Sequence, residues 1–151
     1  VAEIPERLRT NGRAADPVFE GAEKLFRRYL REHLVNGQFS NAGFRLSRPN
    51  SVNREKYSLV EDVLLSLDDR HVGSGVWSLR VEDLPAEFPP EKPQISVFPQ
   101  HLPVDENYAH SEIWCDRIER TGQHVEPNNE TKKLLRAILS QRVHIEIAAT
   151  K

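Results

Sequence analysis

Apolar residues recur at helical spacing between Asp16 and Gly37: Val18, Ala22, Leu25, Phe26, Tyr29 and Leu30, with His33 in step. Read with a period of 3.6, they form one face of an amphipathic helix. Asp16-Pro17 offers an N-cap followed by proline at the first helical position, and Asn36-Gly37 offers a left-handed C-cap. The polar face would carry Lys24, Arg27, Arg28 and Arg31, partly paired with Glu20 and Glu23 four residues ahead of Lys24 and Arg27. A second helix is expected over 59–67, opened by a Ser58–Glu61 capping box and burying Leu59, Val60, Val63, Leu64 and Leu67, with Asp68-Asp69 and Gly73-Ser74-Gly75 ending it. A third begins at Asn128 or Asn129 and carries Leu134, Leu135, Ile138 and Leu139.

Alternation with period two marks the strands. Val76–Val81 places Trp77, Leu79 and Val81 on one face. Phe44–Ser47 and Ile95–Phe98 are shorter candidates, and Arg142–Ile147 closes the chain with Val143, Ile145 and Ile147 inward. In His110–Arg117, one face holds His110, Glu112, Trp114 and Asp116, the other Ser111, Ile113, Cys115 and Arg117. The rest of Gln38–Lys56 reads as loop, Glu82–Phe88 as a single helical turn, and Pro89, Pro90 and Pro93 exclude regular structure around them. This order predicts an α+β fold: a single compact domain with a mixed or mainly antiparallel sheet and three main helices. Residues 1–15 lack periodicity and read as a flexible polar tail, with Ile4 or Leu8 as its docking points, ahead of a domain spanning 16–151.

At 151 residues the chain is one ordinary domain with room for a core. Its single cysteine allows no intrachain disulfide and suits a reducing cytoplasm, the expected location. No apolar segment approaches the ~20 residues that cross a bilayer, so no membrane partner is expected. A net charge of −2 argues against bulk nucleic-acid binding.

Phosphate-loop, dinucleotide-fold, zinc-protease and nucleophile-elbow motifs are all absent, and one cysteine rules out a zinc site built from several. Asn129-Glu130-Thr131 matches a glycosylation acceptor but reads better as a helix cap. The densest chemistry runs from His101 to Arg117. His110 and Glu112 stand two apart on one strand face, placed to grip a ligand or to act as a base and its orienting acid. A metal would need a third ligand, from His101 or Asp105; none is expected, and no cofactor is indicated. The competing reading is a solvated strand face. A second cluster, Arg45, Arg48, Arg54 and Lys56 around Ser51 and Asn53, suits a phosphate or carboxylate. Ser51 as a nucleophile lacks a base nearby in the sequence.

Leu25-Phe26-Arg27-Arg28, Ser40–Phe44, Leu46 with Ser51–Arg54, Val76–Leu84 and Pro103–Ile113 together resemble a pattern found in a group of small uncharacterised bacterial proteins. That likeness implies a bacterial cytoplasmic protein and assigns no functional residue. A fainter likeness is to ADP-ribosyltransferase-type domains. These use an early basic residue, a central serine and a late strand glutamate around a nicotinamide dinucleotide, an order matched here by Arg27 or Arg45, Ser51 and Glu112. The chain departs from that pattern in having His110 where a second acid or glutamine is usual.

The residues favour binding of a small anionic or nucleotide-like ligand in a polar cleft between the Asn50–Lys56 loop and the Pro103–Glu112 segment. Arg45 and Arg54 would hold the anion, Ser51 and Asn53 orient it, and His110 with Glu112 act on it or fix its polar end; whether chemistry follows binding is left open. The alternative is a non-catalytic protein–protein interaction module that presents the basic face of the first helix to an acidic partner.

Overall fold

Six strands form one antiparallel sheet in the order β6-β7-β4-β1-β5-β8. They are β1 (Lys24–Tyr29), β4 (Asn50–Arg54), β5 (Gly75–Arg80), β6 (Ile95–His101), β7 (His110–Arg117) and β8 (His144–Ile147). A separate hairpin pairs β2 (Leu34–Val35) with β3 (Gln38–Phe39), and one α-helix, α1 (Asn129–Arg142), precedes β8. This computed structural model describes residues 3–65 and 72–150. Among them, no helix is long and apolar enough to cross a membrane.

The architecture corrects the expectation of three main helices. The segment expected as the first helix contains the central strand β1, which pairs with β5 along its whole length and with β4 at its start. Leu25 and Tyr29 enter the main core, and Phe26, also buried, lies on the opposite face. A strand covered on both faces shows no clean alternation, so its apolar positions match helical spacing by accident. Gly21 sits inside that supposed helix; its carbonyl accepts from the Glu82 amide, extending the β1–β5 ladder. Asn36 and Gly37 are both left-handed, with φ of 51° and 77°, and turn the β2–β3 hairpin rather than cap a helix.

The second expected helix is a short 3-10 turn, Val60–Leu64. Its N-terminal amide, Leu59 N, is held by Asp62 Oδ2 at 2.7 Å, not by a Ser58–Glu61 box. Ser58 instead donates to the Arg54 carbonyl. The expected continuation to Leu67 and the Asp68-Asp69 end lie outside the described residues. Phe44–Ser47 is not a strand; Phe44 and Leu46 are core residues on a loop. The third helix forms as α1, with Asn128 Oδ1 accepting from Thr131 N.

The main core lies under one face of the sheet. Leu25, Trp77, Leu79, Val52, Ile113, Cys115 and Val97 from the strands meet Phe39, Phe44 and Leu46 and, from α1, Leu135 and Leu139. Residues 3–15 are docked, in contrast to the flexible tail expected. Leu8 is 3% exposed, its carbonyl accepts from Tyr108 N, and the Arg7 guanidinium clasps the buried Asp62 carboxylate at 2.5 and 2.8 Å. Arg13 lies over the Tyr108 ring and Thr10 hydrogen-bonds the Val104 carbonyl.

Candidate functional site

The two central strands β1 and β4 pair only at Leu25–Arg54 and Phe26–Asn53. Beyond that they part, and a cleft of about 570 Å³ opens between them, lined by both strands, the Ala42–Arg48 loop, Val63, Asn107 and His110. That volume falls within the range of small-molecule sites. Where a ladder hydrogen bond would otherwise join the strands, the Arg27 guanidinium donates to the Ser51 carbonyl at 2.6 Å.

Register sets which side chains share the site. Directly opposed residues of an antiparallel pair project to the same face. Asn53 is opposite His110, and Ser51 is opposite Glu112, so these four residues stand on one face of β4 and β7. His110 points its Nδ1 at the Leu102 carbonyl, 2.8 Å away, and its Nε2 at Ser51 Oγ, 3.4 Å away. A carbonyl only accepts, so Nδ1 carries the proton and the neutral ring leaves Nε2 as an acceptor facing the serine. Asn53 Oδ1 accepts from Asn107 Nδ2 at 2.7 Å, which fixes the amide on the cleft wall.

The cleft is basic. Arg27, Arg28, Arg45 and Arg48 line it, with His33 and His110. Burial pushes the Arg27 guanidinium below its ordinary value, and the neighbouring charges of Arg28, Arg45 and Arg48 push it the same way. Asp62 also lines the cleft, but its carboxylate is taken by Arg7. Among the described residues, no carboxylate pairs with Arg27, Arg45 or Arg48. Two buried polar atoms of lining residues, Trp77 Nε1 and Asn107 Oδ1, have no hydrogen-bond partner among the described residues. Buried polar groups are rarely left so.

Ser51, Asn53, Arg45 and His110 from the sequence-derived set are thus brought together. Arg54 is not. It is fully buried on the far side of β4's end, with Nε and Nη2 on the two Glu23 oxygens at 2.9 and 2.8 Å, and it donates to the carbonyls of Asp16 and Val18. Its plane also covers the Phe19 ring at 3.9 Å. Arg54 is a structural clasp for residues 16–23, and its charge is spent there. Glu112 shares the face but turns away: its carboxylate accepts from the Trp114 indole N–H at 3.0 Å and it does not line the cleft. Lys56 pairs with Asp16.

Among the described residues, no third metal ligand is assembled around His110 and Glu112. His101 is buried, accepting from Asp16 N at Nδ1 and donating to the Tyr108 carbonyl from Nε2 at 2.5 Å. Among the described residues, no cluster of three or more His, Cys, Asp or Glu side chains could hold a metal ion. Cys115 is no nucleophile either, since burial, with Asp116 adding to it, pushes its thiol up to about 12.

Sequence reasoning set Arg27 and Arg28 on a helix surface, so it missed Arg28 as a site residue and reached Arg27 only through the fainter resemblance. His33 and Asn107 carried no local signal, since both enter the cleft only through tertiary packing. Comparisons with protein-family models, with curated proteins and with solved structures find no match to this chain, so neither resemblance gains a relative to support it.

Proposed function

We propose that the cleft between β1 and β4 binds a small phosphate- or carboxylate-bearing molecule of nucleotide-like size. The convergence of Arg27, Arg45 and Arg48 on one cleft, with no carboxylate paired to any of them among the described residues, carries this reading. Like charges held together oppose folding unless something offsets them, and an anion does so while gaining charge-assisted hydrogen bonds. Asn53 and Asn107 stand on the cleft wall as neutral polar groups for the remainder of the ligand. Because β1 is a central strand, the basic helix surface on which the interaction-module alternative rests is not formed. The single, buried cysteine fits the reducing cytoplasm proposed as the setting.

The test is the melting temperature titrated with inorganic phosphate, pyrophosphate and nucleoside phosphates at low and high salt. A ligand that binds only the native state at a hundred times its Kd adds about 2.7 kcal/mol, a rise of several degrees. The rise should shrink with salt and nearly vanish in an Arg45→Gln, Arg48→Gln double variant. Equal rises in the parent and the double variant would overturn the reading.

A further inference from the structure

We propose that Ser51 and His110 form a nucleophile–base pair that hydrolyses phosphate monoesters bound among the cleft arginines, an inference that rests on the anion-binding reading above. The three parts of an activated serine are present. The Ser51 hydroxyl lies on the exposed face of β4 and lines the cleft. The base, His110, comes from the adjacent strand, with Nε2 at 3.4 Å from Oγ, within the looser range such pairs show without a substrate. The orienting group is the Leu102 carbonyl, which fixes the tautomer from the far side of the ring at 2.8 Å. Fifty-nine positions separate serine and histidine in the chain, so the base that the sequence could not supply arrives through the β4–β7 pairing. Arg27 is held against the Ser51 carbonyl, which keeps a cation at the backbone of the nucleophile's residue. Phosphoryl transfer depends chiefly on positioning and on positive charge around the transferring oxygens, and this cleft offers both.

The reaction balances without a further reagent. Ser51 Oγ attacks phosphorus, and its proton passes to His110 Nε2. The bond from phosphorus to the ester oxygen breaks in line, on the far side of phosphorus from Oγ, and the departing alkoxide takes a proton from solvent. Water then attacks the phosphoserine from that same far side, giving its proton to solvent. The phosphorus–Oγ bond breaks, Oγ recovers its proton from His110, and inorganic phosphate leaves. The net change is ester plus water to alcohol plus phosphate.

The experiment treats the full chain with diisopropyl fluorophosphate and reads intact mass and the modified peptide. In parallel, 4-nitrophenyl phosphate turnover and the melting temperature with inorganic phosphate are followed. The parent should be phosphorylated once, at Ser51. Ser51→Ala should show neither modification nor turnover yet keep its phosphate-induced rise in melting temperature. His110→Gln should react about 10²–10⁴-fold more slowly. A parent that phosphate stabilises but that is not modified overturns the pair and leaves the binding reading standing. Modification at Ser51 without any phosphate-induced rise supports the pair and overturns the anion cleft. A folded His110→Gln that reacts as fast as the parent removes His110 as the base.

Discussion

Phe26 faces Asn53 across β1 and β4, and that pair is the last rung the two strands share. Past it, Arg27 lies between the strands with its guanidinium on the Ser51 carbonyl. Burial and three neighbouring arginines all disfavour the Arg27 charge, so the fold holds it at a cost. Arg27→Met should therefore melt at the parental temperature or above it without ligand, and lose most of the rise produced by phosphate. A structural role predicts the reverse, a lower melting temperature with the phosphate response intact. Melting curves with and without phosphate separate the two.

Arg54 is the opposite case. Its side chain is fully buried, and its bidentate pair with Glu23 also gathers the carbonyls of Asp16 and Val18. Arg54→Met leaves the Glu23 carboxylate, itself only 8% exposed, without its counter-charge. Breaking one side of a buried pair costs about 3–5 kcal/mol. Urea denaturation should show a loss of that size, and phosphate should still bind to whatever fraction remains folded. A change near zero would mean that Glu23 is neutralised some other way.

The contrast between these arginines marks where the sequence could and could not be read. His110–Arg117 is legible because one face of β7 is covered by core and the other is not, so alternation survives. The helix of residues 129–142 is legible for the same reason in its own period: Leu135 and Leu139 are buried while Leu134 is exposed. β1 is not legible, because Leu25 and Phe26 are both buried on opposite faces and the pattern loses its period. Asn36-Gly37 was ambiguous between a helix end and a hairpin, since both use left-handed residues. In the site, Arg45, Ser51, Asn53 and His110 could be nominated as polar groups near one another in two segments. That Arg54 is neutralised could not, because its partner lies thirty-one positions earlier and meets it only in the fold.

Residues 3–15 test how far the N-terminal segment belongs to the domain. Leu8 is buried and its backbone carbonyl accepts from Tyr108, a residue in the loop that leads to His110. Leu8→Ala should cost about 2–5 kcal/mol, as for other buried leucines. Deletion of residues 1–15 should lower the melting temperature by many degrees, because it also strips Arg7 from Asp62 and Arg13 from Tyr108. An unchanged melting temperature after deletion would show these contacts to be energetically idle.

His101 sets a pH dependence of stability. Burial pushes its imidazole below the ordinary histidine value; the Tyr108 carbonyl works the other way, and the Arg54 charge adds to the depression. The fold needs a neutral ring, because Nδ1 accepts from Asp16 N. A depressed value in the folded chain means that the unfolded chain takes up the proton first as pH falls. This contribution is complete above about pH 6.5, the unfolded value, and is lost as pH falls toward the folded one. A second loss begins as pH falls through the ordinary aspartate value, where the unfolded chain takes up a proton that folded Asp16 still refuses, and continues down to the folded value. Its carboxyl is held low by hydrogen bonds from Tyr57, Lys56 and Val18 N. Urea midpoints measured from pH 8 downward should fall in these two windows, and His101→Gln should remove the first alone.

Gly75, the first residue of β5, sits where the sheet has no room for a side chain. A Cβ there would collide with the Tyr29 ring and lie 2.5 Å from the Ile147 carbonyl oxygen. The ring could tilt, but Tyr29 is tied at its hydroxyl, which donates to that same carbonyl and accepts from Ala149 N. The carbonyl cannot retreat without moving the edge strand β8, whose register with β5 already shifts between Val76 and Trp77. Gly75→Ala should therefore destabilise by about 1–3 kcal/mol or more, the cost of overpacking a close-fitted site. The damage should be local, with amide exchange in His144–Ile147 accelerated while β6, β7 and β4 keep their protection. Gly37→Ala is the control. It meets nothing within 4 Å but sits at a φ of 77°, so its cost should be only the roughly 1–2 kcal/mol of a left-handed alanine, with β8 exchange unchanged. If Gly75→Ala costs no more than Gly37→Ala and leaves β8 protected, the contact between β5 and the chain end is looser than these distances require.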